Sequence, residues 1–149
     1  MAMDFASTLF PSVHVSKAIQ EEIPHNRPLG KKIMIVDDDD DFRMLLCHRL
    51  ERKGIKCFEA ENGEVAKSQL KKTHVDLVIT DYRMPKIDGL ELIEWLHNNQ
   101  EHVPIIFVSG DLSFPIREKA AQARVCAVFS KPCSLSDISY KAEEILGKL

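Results

Sequence analysis

The sequence predicts an α/β fold, doubly wound around one five-stranded parallel sheet with helices on both faces. Three observations carry the prediction. Short apolar runs alternate five times with segments of helical spacing. The runs lack the polar alternation of a half-exposed strand, which suits a sheet covered on both sides. Four of the five stop directly on residues able to do chemistry.

The elements follow in order. Ile33-Met34-Ile35-Val36 is a fully apolar strand that runs straight into five acids, Asp37 to Asp41. Phe42, Leu45, Leu46 and Leu50 then fall at helical spacing, with Gly54 as the stop. Asp40 or Asp41 is expected to cap that helix and complement its dipole. Ile55 to Glu59 reads as a second strand, partly exposed at a sheet edge, and Asn62-Gly63 turns the chain. Val65, Ala66 and Leu70 mark a second helix ending near Lys72. Leu77-Val78-Ile79 is too short for a helix and reads as a buried strand that stops on Asp81. Pro85 and Gly89 turn the chain through a loop, and Leu90, Leu92, Ile93, Trp95 and Leu96 begin the next helix. Pro104 opens the strand Ile105 to Val108, which ends on Ser109-Gly110. A helix is expected from about Phe114 to Ala123, then a fifth strand over Cys126 to Phe129, ending Ser130-Lys131-Pro132. The last helix starts near Ser134, a good N-cap, and carries Leu135, Ile138, Ala142, Ile145 and Leu146 on one face. Right-handed crossovers then place helices on both sides of the sheet, in a fold of the flavodoxin-like kind.

Composition removes several function classes. At 149 residues the chain has room for one domain with a proper core. A net charge of −3 suggests no nucleic-acid surface. No apolar run approaches the roughly 18 residues of a membrane span. The start Met1-Ala2-Met3-Asp4 lacks the basic and apolar regions of a signal peptide, so the expected compartment is cytoplasmic. Cys47, Cys57, Cys126 and Cys133 show no zinc spacing; three fall in apolar patterns and are expected to be reduced core thiols.

Residues 1–30 differ from the domain expected over 31–149. Pro11, Pro24, Pro28 and Gly30 punctuate them, and Val13, Val15, Ala18, Ile19 and Ile23 suit one short amphipathic helix. The segment reads as a flexible leader, or as an arm that docks on the domain or on a partner. The last helix reaches the chain end without a linker, which favours a stand-alone domain over one module of a larger protein.

The chemistry gathers at one edge of the sheet. The first strand delivers Asp37 and Asp38, the third Asp81, the fourth Ser109 and the fifth Lys131. Open α/β sheets bind their ligands beyond these carboxyl ends. Two adjacent carboxylates repel each other unless a cation offsets the charge, which points to a hard divalent metal such as magnesium. Acids, a metal, one hydroxyl and one ammonium together suit phosphoryl transfer. Asp81 would attack phosphorus, Asp38 and Asp81 would hold magnesium, and Lys131 would neutralise a phosphoryl oxygen. Ser109 would hydrogen-bond the attached group.

Val36-Asp37-Asp38, the stretch Asp81-Tyr82-Arg83-Met84-Pro85-Lys86-Ile87-Asp88-Gly89, Ser109-Gly110 and Lys131-Pro132 together resemble the receiver domains of two-component response regulators, over residues 31 to 149. The resemblance implies that Asp81 accepts a phosphoryl group from a histidine kinase or histidine phosphotransfer protein. It implies magnesium on Asp38, Asp81 and the backbone carbonyl of Arg83, with Asp37 acting through water. It implies that Ser109 moves toward the phosphoryl group, that the Lys131–Pro132 bond is cis, and that the output is contact with a downstream protein or a homodimer formed on phosphorylation. Neither nucleic acid nor membrane is an expected direct partner.

Two departures stand out. Val128 takes the place of a usual aromatic switch residue, and Phe129 should face the other side of its strand. Arg124 stands where the helix before the fifth strand usually ends on Gly. Arg83 and Asp111, at variable positions beside the site, carry opposite charges and could pair over the phosphoryl group as a gate that hinders attacking water. Two other readings compete. In a haloacid-dehalogenase-like phosphatase Asp37 would be the nucleophile and Asp39 the acid/base, but the chain has no room for a cap. An inert receiver-fold adaptor would usually lack an acid or the lysine.

Overall fold

A computed structural model describes residues 30–100 and 102–147. All of the expected leader except Gly30, with the amphipathic pattern over 13–23, lies outside the described residues. The elements are β1 (Lys32–Val36), α1 (Asp40–Glu51), β2 (Lys56–Ala60), α2 (Gly63–Leu70), β3 (Leu77–Asp81), α3 (Gly89–Asn99), β4 (Ile105–Ser109), α4 (Phe114–Gln122), β5 (Ala127–Ser130) and α5 (Leu135–Gly147). All five strands pair in parallel in the order β2-β1-β3-β4-β5. The doubly wound α/β prediction is met, with β2 at an edge as expected.

Strand periodicity splits the core in two. On one face Met34, Val36, Val78 and Phe107 pack with Leu70 of α2, Leu92, Ile93 and Leu96 of α3 and Ile116 and Ala120 of α4. On the other, Ile33, Ile35, Leu77, Ile79, Ile106 and Val108 pack with Leu46, Cys47 and Leu50 of α1 and Ile138, Ala142 and Leu146 of α5. Alternate residues of one strand thus feed opposite layers. Each fully buried Leu or Ile contributes about 1.5–3 kcal/mol of transfer free energy. The three central strands therefore hold their carboxyl ends in fixed register, Val36 beside Thr80 and Asp81 beside Val108.

Several local expectations need correction. The cap of α1 is Asp39, not Asp40 or Asp41: its Oδ1 accepts from the amides of Asp41 and Phe42. Asp40 and Asp41 instead occupy the first helical turn, where they still complement the dipole. Asn62 does more than turn the chain, since its side chain caps α2 by accepting from Val65 N–H. The fifth strand starts at Ala127, one residue after Cys126, and it alternates half-buried and exposed residues because it is the second sheet edge. Accordingly Cys126 is exposed and only Cys47 is fully buried, with Cys57 and Cys133 half-buried; all four are free thiols.

Other expectations hold. Ser134 Oγ accepts from Asp137 N–H at the start of α5. The Lys131–Pro132 bond is cis. Arg124 takes φ +55°, the left-handed conformation that a Gly would adopt freely. Val128 is exposed, whereas Phe129 packs against the α1–α5 layer.

Candidate functional site

The carboxyl ends of β1 and β3 bring three acids together. Asp37, Asp38 and Asp81 each offer an oxygen, and these oxygens lie within 4.8 Å of one another. Asp37 and Asp81 are buried, at 1% and 7% exposure, while Asp38 is open to solvent. Each buried acid is held by a local backbone bond. The Asp39 N–H donates to Asp37 Oδ1 at 2.9 Å, and the Tyr82 N–H donates to Asp81 Oδ1 at 2.8 Å.

Lys131 reaches in from the end of β5. Its Nζ donates to Asp37 Oδ2 at 2.6 Å and lies 3.6 Å from Asp81 Oδ2. The same ammonium sits 4.4 Å from the centre of the Phe42 ring, a cation–π contact that helps to position it. Burial, and then the charge of Asp37, push Asp81 up to about 6, with Lys131 opposing. Burial also raises Asp37, against its hydrogen bonds to Lys131 and Asp39. For Lys131, burial works to lower the pKa, but the hydrogen bond and charge of Asp37 and the charge of Asp81 win and raise it. The pocket thus holds more negative charge than one ammonium can neutralise.

The loop after β3 is shaped by backbone approach. A Cβ on Gly89 would come 2.0 Å from the Asp81 carbonyl oxygen, so only Gly fits there. The Gly89 N–H donates to the Tyr82 carbonyl at 2.8 Å, closing the loop back on the strand. Asp88 caps α3 by accepting from Glu91 N–H, and Glu91 returns the bond to the Asp88 amide, a capping box. Ser109 Oγ is buried at the end of β4, where it donates to the Asp111 carbonyl and accepts from the Asp111 amide. Arg83, two residues past Asp81, and Asp111, two residues past Ser109, pair at 2.6 Å, as their charges suggested. The Arg83 hydrogen bond holds the Asp111 carboxyl below its ordinary range.

The structure therefore gathers Asp37, Asp38, Asp81 and Lys131 into one cluster, with Ser109 at the end of the strand beside Asp81. Sequence reasoning missed two supports. Phe42 read only as an apolar helix position, yet its ring lies against the Lys131 ammonium. Arg43 had no role, yet its Nη1 donates to the Asp37 carbonyl at 2.6 Å while its Nη2 pairs with Asp40 and its Nε with Glu59. The one available signal was an arginine placed two residues after an acidic run.

Such a carboxylate cluster, beyond a parallel sheet and closed by a lysine from the last strand, defines a class. The chain belongs to the response regulator receiver domains of two-component systems, whose family profile matches residues 33–143. It is similar to the response regulator receiver protein CpdR of Brucella abortus, 30% identical over 78% of this chain and 97% of the relative. It is also similar to the chemotaxis protein CheY-3 of Vibrio cholerae, 31% identical over 79% of this chain and 93% of that protein. Among solved structures, a CheY-like receiver domain from Methanospirillum hungatei superposes with a TM-score of 0.76 at 26% identity, covering 79% of this chain and 94% of the other. The response regulator TrrA of Thermotoga maritima, in complex with Mg(2+)-BeF, superposes with a TM-score of 0.69 at 28% identity, covering 77% and 98%. Among the described residues no helix is long and apolar enough to cross a membrane.

Proposed function

We propose that the domain, residues 31–149, is a phospho-accepting switch and that Asp81 is the residue phosphorylated. The observation that carries this reading is the cluster of three carboxylates around Asp81 with Lys131 at hydrogen-bond distance from Asp37. Asp81 attacks the phosphorus of a phosphohistidine on a kinase or phosphotransfer protein. The new bond is an acyl phosphate, the P–N bond breaks, and the imidazole leaves. Lys131 then exchanges a carboxylate partner for a phosphoryl oxygen, and Ser109 turns its hydroxyl from the Asp111 backbone to the attached group.

The donor set fits magnesium. Hard carboxylate oxygens with room for retained waters are what that ion accepts. Asp38, Asp81 and the Arg83 carbonyl would hold it. Asp37 would act through water, since Lys131 and the Asp39 amide already engage its two oxygens. When bound, magnesium supplies positive charge that offsets the acids and the phosphoryl oxygens. The similarity to TrrA, a protein seen in complex with Mg(2+)-BeF, supports this reading. The resident chemistry is then self-phosphorylation and self-dephosphorylation, with output by contact with a downstream protein or a second phosphorylated copy, in the cytoplasm. An inert adaptor is not favoured, since each expected acid and the lysine is present.

Treatment with acetyl phosphate, followed by intact mass measurement, tests this. The expected result is one added phosphoryl group that requires magnesium and is absent from Asp81→Asn. A folded, magnesium-loaded protein that gains no mass would show that the domain is an adaptor. Continuous release of phosphate over many turnovers would instead make it a hydrolase.

A further inference from the structure

We propose that residues 15–23, ahead of the domain, dock in a basic groove between α1 and α5 on the same molecule. The groove has a volume of about 460 Å³ and is lined by Leu45, His48, Arg49, Arg52, Lys53 and Leu135. Its character is unusual for this chain, whose net charge is −3. Leu45, 53% exposed, and Leu135 give it an apolar floor, and four cationic or titratable side chains stand along it. Lys53 is held by Glu143 of α5, which ties the two helices together. Arg49 and Arg52 are exposed and have no carboxylate within ion-pair distance among the described residues. A groove of this kind fits an amphipathic segment whose docking face carries apolar residues and an acid.

The chain supplies one at the right place. Val15, Ile19 and Ile23 recur every four residues, with Ala18 beside them, so a helix would bring them onto one face. Glu22, three residues after Ile19 and seven after Val15, falls on that same face at the end nearer the domain; Glu21 lies off it, and Lys17 lies in the other half. The described chain begins at Gly30, whose N–H donates to the Gly54 carbonyl. Gly54 directly follows Lys53, so the segment enters the fold at the basic end of the groove. Residues 24–29 can span up to roughly 20 Å. Leu45 on α1 lies eight residues before Lys53, which stands just past the end of that helix, about 12 Å on a helical rise. The link therefore reaches, and it would set Glu22 near Arg52 and Arg49 with Ile19 and Val15 toward Leu45 and Leu135.

Two other occupants fit less well. A second copy meeting the groove about a twofold axis would set arginines against arginines. A separate acidic peptide competes against a tethered one whose effective concentration is on the order of millimolar.

Hydrogen exchange read by mass spectrometry on the full chain tests the proposal. Amides of residues 15–23 should exchange at least about tenfold more slowly than unstructured peptide rates. The slowing should not depend on protein concentration. It should be lost in Arg49→Glu/Arg52→Glu, and return when Glu21→Arg/Glu22→Arg is added to that variant. Circular dichroism and exchange of β1, β3 and β4 establish that each variant is folded. Unprotected amides in the wild type would overturn the proposal. So would protection that rises with concentration, survives the reversal, or fails to return with the swapped charges.

Discussion

Lys131 Nζ stands 2.6 Å from Asp37 Oδ2, so the last strand of the sheet is joined to the first by an ion pair across its carboxyl edge. β4 and β3 lie between those strands, and Asp81 sits at the end of β3. The pair is 1% exposed on the acid side and 23% on the lysine side, so its loss leaves a buried, unmatched carboxylate.

Lys131→Ala should lower the unfolding free energy by about 2 kcal/mol in metal-free buffer, less than a fully buried pair would lose because the ammonium is partly solvated. Urea denaturation in the presence of a chelator measures it. A loss below about 0.5 kcal/mol, the scale of an exposed pair, would mean that solvent already screens the acids.

Asp81 gives the pH dependence. Its folded-state pKa is about 6, above the ordinary carboxylate value of 3.8, because it is buried and faces Asp37. The folded protein therefore binds more protons than the unfolded chain between those two values. The contribution of Asp81 to stability is highest below about pH 4, falls as pH rises through the window and stays reduced above pH 6. Asp81→Asn removes the penalty: it should raise metal-free stability at pH 7 by on the order of 2 kcal/mol and flatten the profile. Magnesium should raise the Tm of the wild type and leave that of the variant nearly unchanged. An Asn variant less stable than wild type across the whole range would count against charge repulsion at the site.

The Arg83–Asp111 pair joins the loops that follow β3 and β4 at 2.6 Å. If it hinders water, Arg83→Ala should shorten the lifetime of the phosphorylated protein severalfold, with the rate of phosphorylation by acetyl phosphate little changed. Dephosphorylation followed by mass against time decides this, and an unaltered lifetime removes the gate.

Arg124, at φ +55°, holds a backbone conformation that costs a residue with a side chain roughly 1–2 kcal/mol. Arg124→Gly should therefore stabilise the domain by about 1 kcal/mol despite the freedom Gly adds to the unfolded chain. Gly89→Ala should do the opposite by several kcal/mol, because its Cβ would meet the Asp81 carbonyl. Thermal unfolding of both variants provides the comparison.

Much of this arrangement was legible in the residues. The runs at Ile33, Leu77 and Ile105 are buried on both faces, so unbroken apolarity identified them and located the residues that follow. Asp37, Asp38, Asp81, Ser109 and Lys131 could therefore be assigned to one edge before any distance was known. What stayed hidden depends on contacts between elements. The contact of Phe42 with Lys131 joins residues far apart in the chain, and no local pattern announces it. The cap of α1 was missed because any of five consecutive aspartates could supply it; backbone conformation, extended at Asp39, selects one. Cys126 was placed inside because β5 was read as buried like the other strands, whereas its position at the sheet edge leaves alternate residues in solvent.

The central claim is that Asp81, and not one of its neighbours, carries the phosphoryl group. Reduction of the acetyl-phosphate-treated, magnesium-loaded protein with borohydride converts an aspartyl phosphate to homoserine, and peptide sequencing by tandem mass spectrometry then locates the altered residue. Homoserine at position 81 alone is the predicted result. Homoserine at position 37 or 38 instead would contradict the assignment.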